Sequence, residues 1–192
     1  MKKTLFVSIS IVLLSAVCFS AKHGADKTKA ASVSAEEAQR VLELPNSIAS
    51  LYGVEGVYVL VENLHADAKA LGLKKETVTT MVKLKLRLAG VRILSEQEYL
   101  STPDGPCLYI NINASRAFMD PASTLCAVCV SVEFCQTVDL TRWPPLPVFG
   151  APTWRTWGVR AASPETIGEL YTATEKSIDT FIDAYLMANP KK

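Results

Sequence analysis

Histidine is almost missing from this chain, with two in 192 residues, His23 and His65. A structural zinc site draws four nitrogen or sulfur ligands from one neighbourhood, and two histidines far apart in sequence do little toward supplying them. An excess of one charge is missing as well, with 20 lysines and arginines against 19 aspartates and glutamates. Obligatory binding to nucleic acid or to an anionic membrane draws on a strongly basic surface, so neither is expected here. No G-x-S-x-G, H-E-x-x-H, phosphate loop or dinucleotide fingerprint occurs. After Phe19 no apolar run is long enough to cross a bilayer, so no transmembrane segment is expected in the mature chain.

The first 19 residues, MKKTLFVSISIVLLSAVCF, set two lysines before a short apolar run. That is the pattern of a secretory signal peptide of bacterial style, with cleavage expected near Ser20. Residues 1–20 are therefore read as the signal, 21–33 as a polar, lysine-bearing tether, and 34–192 as a single domain. A second reading makes Cys18 a lipidated first residue, but LSAVC places Val17 where a lipobox takes Gly, Ala or Ser. Loss of Lys2 and Lys3 with the leader leaves 18 basic and 19 acidic residues. The remaining chain of roughly 170 residues can bury a core without disulfides.

Ser34 before AEEAQRVLEL reads as an N-cap with Glu37 completing a capping box, and Pro45 ends that helix. The following NSIASLYGVEG is ambiguous between short helix and loop. Alternating Val57, Val59 and Val61 mark a strand. A polar loop carrying His65, Asp67 and Gly72 is expected next. In ETVTTMVKLKLRLA, residues 76–89, the alternation suits a strand. The spacing of Val78, Met81, Val82, Leu88 and Ala89 suits a helix ending at Ala89-Gly90, and the helix is favoured. Val91 to Leu94 then reads as a short strand, SEQEYL as a helical turn and TPDGP as a turn.

Three antiparallel strands are expected over Cys107–Asn113, Cys126–Leu140 and Thr153–Arg160, with WPPLP excluded from any central position. Ser163-Pro164-Glu165 opens a final helix whose stripe is Ile167, Leu170, Tyr171, Ile178, Phe181, Ile182 and Tyr185. The fold class is α+β, a two-layer sandwich with helices packed on one face of a mixed sheet. The basic run of Lys83, Lys85, Arg87 and Arg92 reads as a solvated face.

Parity along the strands assigns the cysteines. The even positions Cys126, Val128, Val130, Val132, Phe134, Val138 and Leu140 are apolar and face the helices, while Cys129, Ser131, Glu133 and Cys135 face away. The C-x-x-C pair, Cys126 and Cys129, thus straddles the sheet and cannot share a disulfide or a metal without a bulge. Cys129 and Cys135 lie roughly 20 Å apart along their strand and cannot bond each other. Cys107 and Cys135 share the outer face, and in a hairpin they lie opposite each other. Two readings stand for them: a bridge closed in an oxidising compartment, or free thiols acting as small sheet residues.

The segments GVYVLVENL, LRLAGVRIL, CLYININA, SVEFCQTVDL, TWRTWGV and FIDAYLMANP resemble an uncharacterised family of secreted bacterial proteins. That resemblance implies no activity to carry over. In topology the chain is similar to small α/β domains of envelope proteins, such as the N-terminal domain of TolB and transporter auxiliary lipoproteins, which are interaction modules. The function expected is a secreted or periplasmic, non-enzymatic binding or assembly module of the cell envelope. Its partner is an envelope protein or a small ligand, and no cofactor or metal is expected. The expected binding residues are Tyr109, Asn111, Ser131 and Glu133, together with whichever of Trp154 and Trp157 faces the open side of the sheet. The alternatives are a hydrolase or thiol-dependent enzyme, pairing an outer-face cysteine with His65 or using Glu133 or Asp139 as base, and a lipoprotein anchored through Cys18.

Overall fold

A computed structural model of the chain describes residues 33–116, 124–141 and 146–190. The expected signal peptide, Cys18, His23, Trp143 and most of WPPLP lie outside the described residues, as does the tether apart from its last residue.

Helix α1, Ala35–Glu43, starts where Ser34 accepts a hydrogen bond from the Glu37 N–H. It stops before Pro45, and Asn46–Ala49 forms the short helix α2. Strand β1, Tyr58–Val61, buries Val59 and Val61, with Val57 buried just before it. The segment expected as a polar loop contains helix α3, Ala66–Ala70. Its one buried side chain is Ala68, too small a signal for apolar periodicity to register.

Helix α4, Lys75–Leu88, settles the ambiguous run in favour of helix. Val78, Val82 and Leu86 are fully buried at successive four-residue steps. Its end is a Schellman motif. Gly90 takes φ 81°, its N–H donates to the Arg87 carbonyl, and the Val91 N–H donates to the Leu86 carbonyl. A residue with a Cβ resists that backbone conformation, which is why a glycine closes the helix. The expected face is corrected at one position: Leu88 is largely exposed and Leu86 takes the core site.

Val91–Leu94 is not a strand. Ile93 forms a single isolated bridge to Val57, whose N–H donates to the Arg92 carbonyl and whose carbonyl accepts from the Leu94 N–H. Pairing ends there because Ser95 turns the chain into helix α5, Glu96–Ser101, through a complete capping box with Glu98. The close approach needs Gly56. A Cβ there would meet the Leu94 side chain at 3.0 Å and the Arg92 carbonyl at 3.1 Å.

Strands β2 (Cys107–Arg116), β3 (Cys126–Asp139) and β4 (Pro147–Ala162) follow. The sheet order is β1-β2-β3-β4, with β1 parallel to β2 and the other pairs antiparallel. The parallel pair is joined by α3, α4 and α5, as a crossover requires. β4 begins earlier than the alternation suggests, at Pro147, and also holds Pro152. Both prolines are accommodated because β4 is an edge strand. Register shifts between Phe134 and Cys135 and between Gln136 and Val138 break the β3 alternation, leaving Val138 and Leu140 only half-buried.

Helix α6, Ile167–Ala188, enters through a 3₁₀ turn, Pro164–Thr166, and lies on the sheet's apolar face. Leu170, Ile178 and Phe181 are fully buried. Phe181 stacks on Phe134 at 6.0 Å, meets Trp154 edge-on at 5.3 Å and tilts against Tyr185 at 6.2 Å. Thr174, which interrupts the stripe, is buried without cost because its hydroxyl donates to the Leu170 carbonyl at 2.9 Å.

The C-terminal end of α6 is closed by side chains from elsewhere in the chain. Arg40 donates to the Met187 and Ala188 carbonyls, satisfying groups a helix end leaves unpaired. Asn189 donates to the Leu51 carbonyl and accepts from the Gly53 N–H, while the Tyr185 hydroxyl donates to the Val54 carbonyl. These bonds tie the N-terminal segment to the helical side of the sheet. Phe181→Ala is expected to destabilise the domain by about 3–5 kcal/mol, measured by denaturant unfolding. A loss below about 1 kcal/mol would mean that α6 does not pack as described.

Candidate functional site

The sheet's second face carries the odd residues of β2, β3 and β4 together with Tyr58, Leu60 and Glu62 from β1 and the residue after it. Register sets these side chains in rows across the strands. Tyr58, Cys107 and Cys135 form one row, and Leu60, Tyr109, Glu133 and Arg155 the next. Asn111, Ser131 and Trp157 form the third, followed by Asn113, Cys129 and Val159.

Helix α5 covers the first row only. Tyr99 stacks on Tyr58 with ring centroids 4.7 Å apart and lies near Cys107 and Cys135. Cys107 is accordingly buried even though it points away from the helical layer. The segment Ser34–Gly53 leaves this face bare and packs on the other one through Leu44, Ile48 and Leu51.

Beyond the first row the face is polar at its centre and apolar at its margins. The Tyr109 hydroxyl donates to the Glu62 carboxylate at 2.6 Å, and the Ser131 hydroxyl donates to Glu133 at 2.9 Å. Trp157 and Val159 are each 63% exposed and Leu60 is 41% exposed. Large apolar groups standing free around a hydrogen-bonding centre are what a contact surface offers a partner.

The hydrogen bond between Tyr109 and Glu62 fixes the charge at the centre. Accepting from Tyr109 and from the Asn63 N–H holds the Glu62 carboxyl below the usual carboxylate range. The negative acceptor in turn pushes the Tyr109 phenol up to about 12, with burial second among the causes.

Cys107 and Cys135 show the opposite of activation. Burial, and then Cys135 opposite, push the Cys107 thiol up to about 12. Burial and then Glu133 raise Cys135. A nucleophilic thiolate needs a lowered value. The two residues are direct register partners, as the hairpin requires, and both thiols are free in the structure. Cys126 is buried on the helical face and Cys129 is half-buried on the open one, so the C-x-x-C pair is split across the sheet. His65 sits exposed at the start of α3. Among the described residues no cluster of three or more His, Cys, Asp or Glu side chains could hold a metal ion.

Of the six residues read from the sequence, the structure brings together Tyr109, Asn111, Ser131, Glu133 and Trp157. Of the two tryptophans it is Trp157 that faces the open side, and Trp154 takes the helical side. Trp154 is 6% exposed and belongs to the core against Phe181. Glu62, Leu60, Arg155 and Val159 were not foreseen as part of the site. The signal for them was parity: Leu60 and Glu62 alternate with the buried valines of β1, and Arg155 and Val159 share the parity of Trp157.

No protein-family model matches the chain, and no curated protein matches it. Among solved structures it is similar to a point variant of the PelC dodecamer from Paraburkholderia phytofirmans, with 14% identity and a TM-score of 0.39 over 68% of this chain and 87% of that one. It is also similar to the rare lipoprotein B from Shewanella oneidensis, with 17% identity and a TM-score of 0.27 over 68% of this chain and 92% of that one. A minor lipoprotein from Acinetobacter baumannii shows 12% identity and a TM-score of 0.32 over 71% of this chain and 92% of that one. Likeness at this level carries no functional argument, and none of the three is the TolB domain.

Glu62→Gln removes the charge that opposes phenolate formation at Tyr109. Its pKa should then fall from about 12 toward the ordinary tyrosine value of about 10, followed by ultraviolet titration of Tyr109. An unchanged value would show that Glu62 does not hold the phenol.

Proposed function

We propose that this chain is a secreted or periplasmic, non-enzymatic binding module of the bacterial cell envelope that engages a protein partner through the open face of its sheet. One observation carries the reading: Leu60, Trp157 and Val159 stand exposed around the polar centre of a face on which α5 covers only the first row. Interfaces concentrate their energy in aromatic and arginine side chains surrounded by hydrogen-bonding groups, and Trp157, Tyr109 and Arg155 supply such a set. The leader-like first 19 residues support the compartment. No helix among the described residues is long and apolar enough to cross a membrane.

The thiol-enzyme alternative is weakened by the raised Cys107 and Cys135 thiols. Anchoring through Cys18 rests on a residue outside those described, and it would leave the face itself unchanged.

A photo-crosslinking amino acid placed at Trp157, and separately at exposed Leu84 on α4, tests the proposal in cells producing the full chain. The expected outcome is a discrete adduct with a different protein in the envelope fraction from position 157 and none from position 84, an adduct between two copies of this chain not counting. No adduct from 157, or equal adducts from both positions, would overturn the reading.

A further inference from the structure

The backbone ladder shows which groups along the β4 edge are unpaired. The Tyr58 N–H donates to the Pro106 carbonyl and the Glu62 N–H to the Ile110 carbonyl. In a parallel pair this commits the even residues of β2 to β1 and turns its odd residues toward β3. The registers Ile110↔Val132 and Asn111↔Ser131 then turn the even residues of β3 toward β4, and Val130↔Gly158 turns the even residues of β4 back toward β3. The odd residues Arg155, Trp157, Val159 and Ala161 are left with their N–H and carbonyl groups directed away from the sheet.

Exposure agrees with this. A strand covered on one face alternates between buried and exposed residues, yet Trp157 to Ala161 are exposed at five positions in succession. Their β3 partners Val128 and Val130 are buried. This part of β4 is therefore exposed along its edge, with the Arg160 side chain reaching the Glu169 carbonyl of the helical layer, and such an edge is the template that folded proteins ordinarily block. Blocking devices stop short of it. Pro147 and Pro152 lie upstream, and the Ser50 hydroxyl reaches the outward carbonyl of Thr153 at 3.5 Å.

We propose that this edge pairs antiparallel with the same edge of a second copy, with the two-fold axis at Gly158. The run of outward-facing odd residues, Arg155 to Ala161, has Gly158 at its centre, so this register uses all of it. It sets Trp157 of each copy opposite Val159 of the other, side by side on the open face as an aromatic and β-branched cross-strand pair. It sets Arg155 opposite Ala161, with no like charges opposed. Gly158 meets itself at a non-hydrogen-bonded position, where strands approach most closely, and a Cβ there would find nothing within 4 Å in the monomer. The interface is isologous and closes as a dimer. It joins two four-stranded sheets into one of eight strands with a continuous open face. This inference does not depend on the binding reading above, since it concerns the strand edge.

Sedimentation equilibrium of the mature protein should show a dimer that dissociates on dilution. Val159→Pro removes an outward N–H and no bond within the sheet, so it should abolish the dimer while leaving the circular dichroism spectrum and thermal midpoint unchanged. Gly158→Cys should give a disulfide-linked dimer under mild oxidation, reversed by reductant and absent from the unsubstituted protein. A monomer at every concentration, a Val159→Pro protein that still dimerises, or a Gly158→Cys protein that does not crosslink would each overturn the proposal.

Discussion

The period-two alternation of β3 is the constraint on which the rest of the domain depends. From Cys126 to Phe134 every even residue is buried and every odd one lies on the other face. β3 is bonded along both sides and lies under α6, so a slip of one residue would move its apolar set into water. The register of β2 and β4 follows from it. So does the separation of two faces with different chemistry, one sealed by Phe181 and its aromatic neighbours and the other presenting Tyr109, Glu133, Arg155 and Trp157.

Much of this was legible in the sequence because it rests on local periodicity. The split of Cys126 from Cys129, the opposition of Cys107 and Cys135, and the stripe of α6 all follow from counting residues. What was not legible depends on tertiary context. The short helix α3 buries a single alanine and has no periodicity to read. Val91–Leu94 has the composition of a strand, but Gly56 and the Ser95 cap limit it to one bridge. On α4 both Leu86 and Leu88 are apolar, and only the direction in which the helix meets the sheet decides that Leu86 is buried. The odd spacing of Trp154 and Trp157 puts them on opposite faces without saying which faces inward, because either register satisfies it until β3 chooses.

The cysteines at the covered end of this face, Cys107 and Cys135, are the reverse of activated thiols. They are small residues on a well-packed sheet, and burial keeps the Cys107 and Cys135 thiols protonated at neutral pH. Polar character on this face comes instead from carboxylate and hydroxyl pairs that are already hydrogen-bonded within the chain. A surface whose donors and acceptors are pre-ordered loses little freedom on binding.

A sheet sealed on one face and open on the other should treat its two tryptophans differently. Iodide quenching of two single-tryptophan variants, retaining Trp154 or Trp157 with the other tryptophans changed to phenylalanine, tests this directly. Trp157 should be quenched efficiently and Trp154 scarcely at all. Equal protection of both residues would mean that something covers the second face, and equal quenching would mean that α6 does not seal the first.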